Sequence, residues 1–170
     1  MANTLGSTHI AGTLTAARVT LPDSTVTNAS VAGGAGIAAT KLEHQFPIRY
    51  QQQPGSNVAA ATEDIHIVYG ATGDVVAVHA ALNGVIPSGD RTAVVDLQKS
   101  TGGGAFATIL TGTITLDSAN TIRVAEAGTL TAGAACVVGD ILRVVITVGG
   151  SSGTNPQGLV VRVVMREDAQ

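Results

Sequence analysis

The sequence predicts an all-β protein, an antiparallel β-sandwich of jelly-roll type preceded by an extended N-terminal arm. Three observations carry that prediction. From residue 63 onward, runs rich in Val, Ile and Thr recur about every eight to fifteen residues, each closed by Gly, Asp, Asn or Pro. Within the runs apolar residues alternate with a period of two, the mark of strands that turn one face to a core. No long segment repeats its apolar residues at helical spacing, and many short strands without helices argue for a sandwich.

The longest run is Gly139–Val148, opened by a Gly-Asp pair and stopped by Gly149, Gly150, Ser151, Ser152 and Gly153. Leu142, Val144, Ile146 and Val148 share one face, while Arg143 and Thr147 share the other with Ile141 and Val145. A second strand, 158–166, alternates Leu159, Val161, Val163 and Met165 with Arg162 and Arg166. The Gly/Ser-rich link between them predicts a hairpin. Arg143, Arg162 and Arg166 then share its outer side, and they are the candidate interface charges, to be met by a carboxylate-bearing neighbour where that side is covered.

Upstream, Glu63–Tyr69 alternates Ile65, Ile67 and Tyr69 against Asp64, His66 and Val68. Asp74–Leu82 groups Val76, Val78, Ala80 and Leu82 ahead of an Asn83-Gly84 turn, and Arg91–Lys99 directs Ala93, Val95 and Leu97 inward. Ala107–Leu116 reads as one strand carrying Leu110, Ile114 and Leu116, with Thr121–Val124 and Gly128–Thr131 as shorter candidates. Phe46–Pro54, Gln-rich between Pro47 and Pro54, reads as an extended connection into the body.

Residues 1–45 differ in kind from residues 46–170, which form the predicted sandwich domain. Apolar residues in 1–45 are sparse among Ala, Gly, Thr, Ser and Asn, too few to build a core. The segment is therefore expected to be an arm. Its isolated apolar side chains, Val26, Val31, Ile37 and Leu42, are the candidates for contact with a partner.

Composition narrows the function. A net charge of −3, nine Lys plus Arg, 2% aromatics and no Trp leave nothing for phosphate neutralisation or base stacking, so nucleic acid is not an expected partner. No apolar run approaches the length of a membrane helix, and a membrane is not an expected partner either. The chain opens Met1-Ala2-Asn3-Thr4 without a cationic and then apolar leader, the expectation for a protein made in the cytoplasm. With 45% hydrophobic and only 12% charged residues, much of the surface must be small and neutral, a kind of surface usually covered by neighbours.

Chemical motifs are missing in the same way. His9, His44, His66 and His79 show no metal-ligand spacing, and Cys136 stands alone among Ala and Val, as a buried, inert thiol would. His66 and His79 fall on neighbouring candidate strands and read as a solvent-facing pair. No Gly-x-Ser-x-Gly elbow occurs, and Gly102-Gly103-Gly104 is not followed by Lys and Ser or Thr. Asp64, Asp74, Asp90, Asp96, Asp117 and Asp140 mostly flank turns, where a carboxylate bonds its own backbone. The expectation is a non-enzymatic protein without a cofactor. Glycan binding is the rival reading, although Phe46, Tyr50, Tyr69 and Phe106 are a thin supply of sugar-stacking faces.

Val26-Thr27-Asn28-Ala29-Ser30-Val31, followed by Ala35-Gly36-Ile37-Ala38-Ala39-Thr40-Lys41-Leu42, resembles a segment that precedes the β-rich body of bacteriophage virion proteins of the capsid-decoration, head-fibre and tail-fibre kinds. The body is similar too, through Asp96-Leu97-Gln98-Lys99, Ile114-Thr115-Leu116-Asp117-Ser118, Gly139-Asp140-Ile141-Leu142 and Arg166-Glu167-Asp168. The resemblance implies a virion location and a decoration (cement) or head-fibre role. It also implies a homotrimer and a major capsid protein as the partner gripped by the arm. Its alternative is a tail-fibre or adhesin module that recognises a cell-surface glycan.

Overall fold

The computed structural model describes residues 44–132 and 134–168, and Val26, Val31, Ile37 and Leu42 lie outside the described residues. Ten strands follow in chain order: β1 (His44–Gln51), β2 (Ala61–Ile67), β3 (Gly73–Leu82), β4 (Thr92–Ser100), β5 (Ala107–Thr108), β6 (Ile114–Leu116), β7 (Glu126–Gly128), β8 (Ala135–Cys136), β9 (Ile141–Gly149) and β10 (Leu159–Glu167). One sheet runs β1-β10-β3-β7 with β8 also on β3, and the other runs β2-β9-β4-β5 with β6 also on β4. Every pairing is antiparallel.

The pairings nest. β1 pairs with β10, β2 with β9, β3 with β7 and β8, and β4 with β5 and β6, so the chain behaves as one long folded-back ribbon wound over two sheets. That winding is a jelly roll, in agreement with the predicted fold class.

Period-two alternation fills the space between the sheets. Ala93, Val95 and Leu97 on β4 and Leu142, Val144 and Ile146 on β9 face Val78, Ala80 and Leu82 on β3 and Leu159, Val161, Val163 and Met165 on β10, all buried. Each fully buried Leu, Val or Met contributes about 1.5–3 kcal/mol of transfer free energy. These four strands carry most of the core because their inward positions are almost unbroken Val, Leu, Ile, Ala and Met.

Several expectations are corrected. β9 and β10 do not form a hairpin, since they lie in different sheets and face each other across the core. Their Gly/Ser-rich link is a crossover fastened to the turn before β4. Arg91 donates to the carbonyls of Gly150 and Ser151 at 2.7 and 3.2 Å, and Asp90 accepts from the amides of Ser151 and Ser152 at 3.0 and 2.7 Å. Gly153, with φ of 102°, passes so close to this turn that an added Cβ would sit 2.1 Å from the Ser88 carbonyl oxygen. Glycine in the link thus serves close backbone approach, a need that sequence cannot separate from hairpin flexibility.

Phe46–Gln51 is not a connector but most of β1, at the edge of its sheet, where Pro47 costs no ladder bond. Residues 107–116 are two short strands, β5 and β6, with a loop between them, and Thr121–Val124 is a turn in which Arg123 adopts φ of 62°. In β3 the register shifts opposite Val164/Met165, so Val75 is buried while Val76 is exposed, contrary to the expected alternation. His66 and His79 lie in different sheets, and His66 instead meets Phe46 edge-on with 5.7 Å between ring centroids.

Candidate interaction surface

Among the described residues, one end of the sandwich carries the largest group of exposed large apolar side chains. Ile67, Tyr69, Val137 and Val138 are 59%, 85%, 48% and 55% exposed, and the backbone brings all four together. Val68 donates to the Asp140 carbonyl at 2.9 Å, and Gly139 donates to the Val68 carbonyl at 2.9 Å, so the segment after β2 and the turn before β9 are tied to each other. Val68, between two exposed residues, is buried and anchors its segment in the core.

The turn itself is built by local chemistry. Asp140 donates its amide to the Val137 carbonyl at 3.0 Å, with Gly139 at φ of 93°, the position where a type II turn requires a left-handed residue. The Asp140 carboxylate, buried, accepts from the Val137 amide at 3.1 Å through Oδ2. Lys99 from the end of β4 places Nζ 3.6 Å from that oxygen and also donates to the Ala135 carbonyl. An ion pair between half-buried Lys99 and buried Asp140 therefore braces the turn that carries the two outward valines. Beside it Cys136 is buried, as expected, and burial pushes its thiol pKa up, which keeps it unreactive.

The same end receives the chain. β1 begins at His44, whose register partner Glu167 pairs in turn with Gly73, and Phe46 of β1 reaches His66 of β2. Asp168 closes this end by donating its amide to the Thr72 carbonyl at 2.9 Å and accepting from Thr72 Oγ1 at 3.2 Å.

The three candidate arginines separate. Arg143, on the β2-β9-β4 sheet, donates to Asp64 at 2.7 Å and lies 3.4 Å from the Phe106 ring centroid. Arg166 on β10 donates to Asp74 at 2.5 Å. Both therefore meet a carboxylate of their own chain, and the expected face shared by all three is corrected for Arg143, which lies in the other sheet from the two arginines of β10. Arg162 shares the outward face of β10 with Arg166 but is exposed, in register with Arg49 on one side and His79 on the other.

Sequence reasoning missed the apolar end because strand alternation grouped Ile65, Ile67 and Tyr69 on one face of a single strand. A shift in register between Asp64 and His66 breaks that alternation and leaves Ile67 and Tyr69 outside. A usable signal was present in Val137-Val138 immediately before Gly139-Asp140, two large apolar residues inside a turn. No protein-family model matches this chain, and no curated protein matches it in sequence.

Proposed function

We propose that the protein is a non-enzymatic virion structural protein of the capsid-decoration or head-fibre kind. Its copies meet through the apolar end of the jelly roll, in a homotrimer, while residues 1–43 grip the major capsid protein. The observation that carries this reading is the exposed cluster of Ile67, Tyr69, Val137 and Val138, whose two segments are tied by backbone hydrogen bonds and whose turn is braced by the Lys99–Asp140 ion pair. Exposed apolar residues scattered singly need no explanation, but a contiguous group on a fixed frame is what a covered surface looks like. The entry of the chain at His44 on that end, and the resemblance of 26–42 to virion arms, support the same assignment.

Tyr69, the most exposed large apolar side chain among the described residues, is also the feature that favours the glycan-binding reading. Deletion of residues 1–43 separates the two. A structural role gives a folded body that no longer joins particles, whereas glycan-array binding by the truncated body identifies an adhesin.

A further inference from the structure

On the exposed face of the β1-β10-β3 sheet, Arg49, Arg162 and His79 stand directly opposite one another on three adjacent strands, and the next strand contributes Ala127. Strands about 4.8 Å apart put these side chains within reach of one small anion. Like charges opposite each other on neighbouring strands destabilise a sheet, so an uncompensated row needs a reason. Among the described residues no ion pair or hydrogen bond joins Arg49, Arg162 or His79 to an acid. Asp74 is engaged by Arg166, and Glu126 accepts from Asn120 at 2.8 Å.

Beside the row lies an open depression of about 370 Å³ lined by His79, Ala80, Ala81, Ala125, Val160 and Arg162. Its floor is small and aliphatic, and its polar side chains are the two that donate or carry positive charge. Sugar sites rely on carboxylate or amide side-chain acceptors and on the broad faces of Trp, Tyr or Phe, and the lining holds none of these residue types. A carboxylate on a short aliphatic stem fits: the stem rests on Ala81 and Val160, and the oxygens meet Arg162 and His79.

We propose that this face is a docking site for an acidic segment of a protein partner, with carboxylates received by Arg49, Arg162 and His79. The site lies on an outer sheet face and is independent of the assembly assigned to the apolar end, so loss of self-association leaves it intact.

Fluorescence anisotropy of a labelled hexaglutamate peptide with the full chain, at low salt and near-neutral pH, tests it. Hexaglutamate binds in preference to hexaglutamine, binding weakens with added salt, and Arg162→Gln weakens it about tenfold, as expected for loss of one charged hydrogen bond. Arg49→Gln acts in the same direction. Arg143→Gln, on the opposite sheet, leaves binding unchanged, and circular dichroism shows all variants folded. The proposal is overturned by any of three results: no preference for hexaglutamate over hexaglutamine, equal weakening by Arg143→Gln and Arg162→Gln, or displacement of the peptide by tetragalacturonate at matched charge.

Discussion

Lys99 Nζ lies 3.6 Å from Asp140 Oδ2, and the Asp140 side chain is 1% exposed. The second carboxylate oxygen, Oδ1, is buried without a hydrogen-bond partner among the described residues, so the carboxylate relies on Lys99 and on the Val137 amide. Lys99→Met strands this charge and is expected to destabilise the protein by about 3–5 kcal/mol in urea unfolding. Adding Asp140→Asn to Lys99→Met recovers part of that loss, because the neutral amide still accepts from the turn. A single Lys99→Met change below about 0.5 kcal/mol would show that the pair does not hold the apolar end.

Arg143 offers a milder contrast. Its guanidinium is stacked on Phe106 and bonded to half-exposed Asp64. Phe106→Ala is expected to cost about 0.5–1 kcal/mol in stability, the range of an exposed cation–π contact. Asp64→Asn costs about 0.2–1 kcal/mol, an effect that shrinks in high salt. A double-mutant cycle in urea measures the coupling.

Two groups contribute to the acid side of the stability profile. Burial lowers the pKa of His66 from 6.5, opposed in part by the charge of Glu167. The folded state then binds fewer protons than the unfolded chain, so stability is full above 6.5 and declines as pH falls below it. His66→Gln is expected to flatten that decline in unfolding series taken at stepped pH.

Further down, the Ser152 amide, aided by Ser151, holds the Asp90 carboxyl below 3.8. The stability it lends to the crossover between β9 and β10 is present above 3.8 and lost as pH falls through its lowered value. Asp90→Ala removes this dependence, and proteolysis at Gly150–Gly153 at neutral pH reports the loosened link.

The strands with the strongest alternation, β4, β9 and β10, were legible because their inward positions are uniformly apolar and their outward ones are not. Pairing was not legible. Leu142 and Val144 on β9 complement Leu159 and Val161 on β10 equally well as hairpin neighbours or across a core, and only the winding of the whole chain decides. Strand β1 was obscured by Pro47 and by glutamines, residues that an edge strand tolerates. The two breaks in alternation, near Asp64/His66 and Val164/Met165, are register shifts set by tertiary pairing, and no local residue announces them. The apolar end follows from the first of these, and the Arg49, Arg162 and His79 row follows from registers across three strands, so both surfaces emerge only from the assembled sheets.

The mass of the full chain in solution, measured by light scattering beside that of a Tyr69→Ser, Val138→Asp variant, tests the proposed assembly most directly. Both substituted side chains are exposed, so the variant keeps its fold by circular dichroism. The wild-type chain is expected at three times its 16.9 kDa mass and the variant at the monomer mass. A wild-type monomer at all concentrations, or a variant that retains the wild-type mass, would contradict assembly through the apolar end.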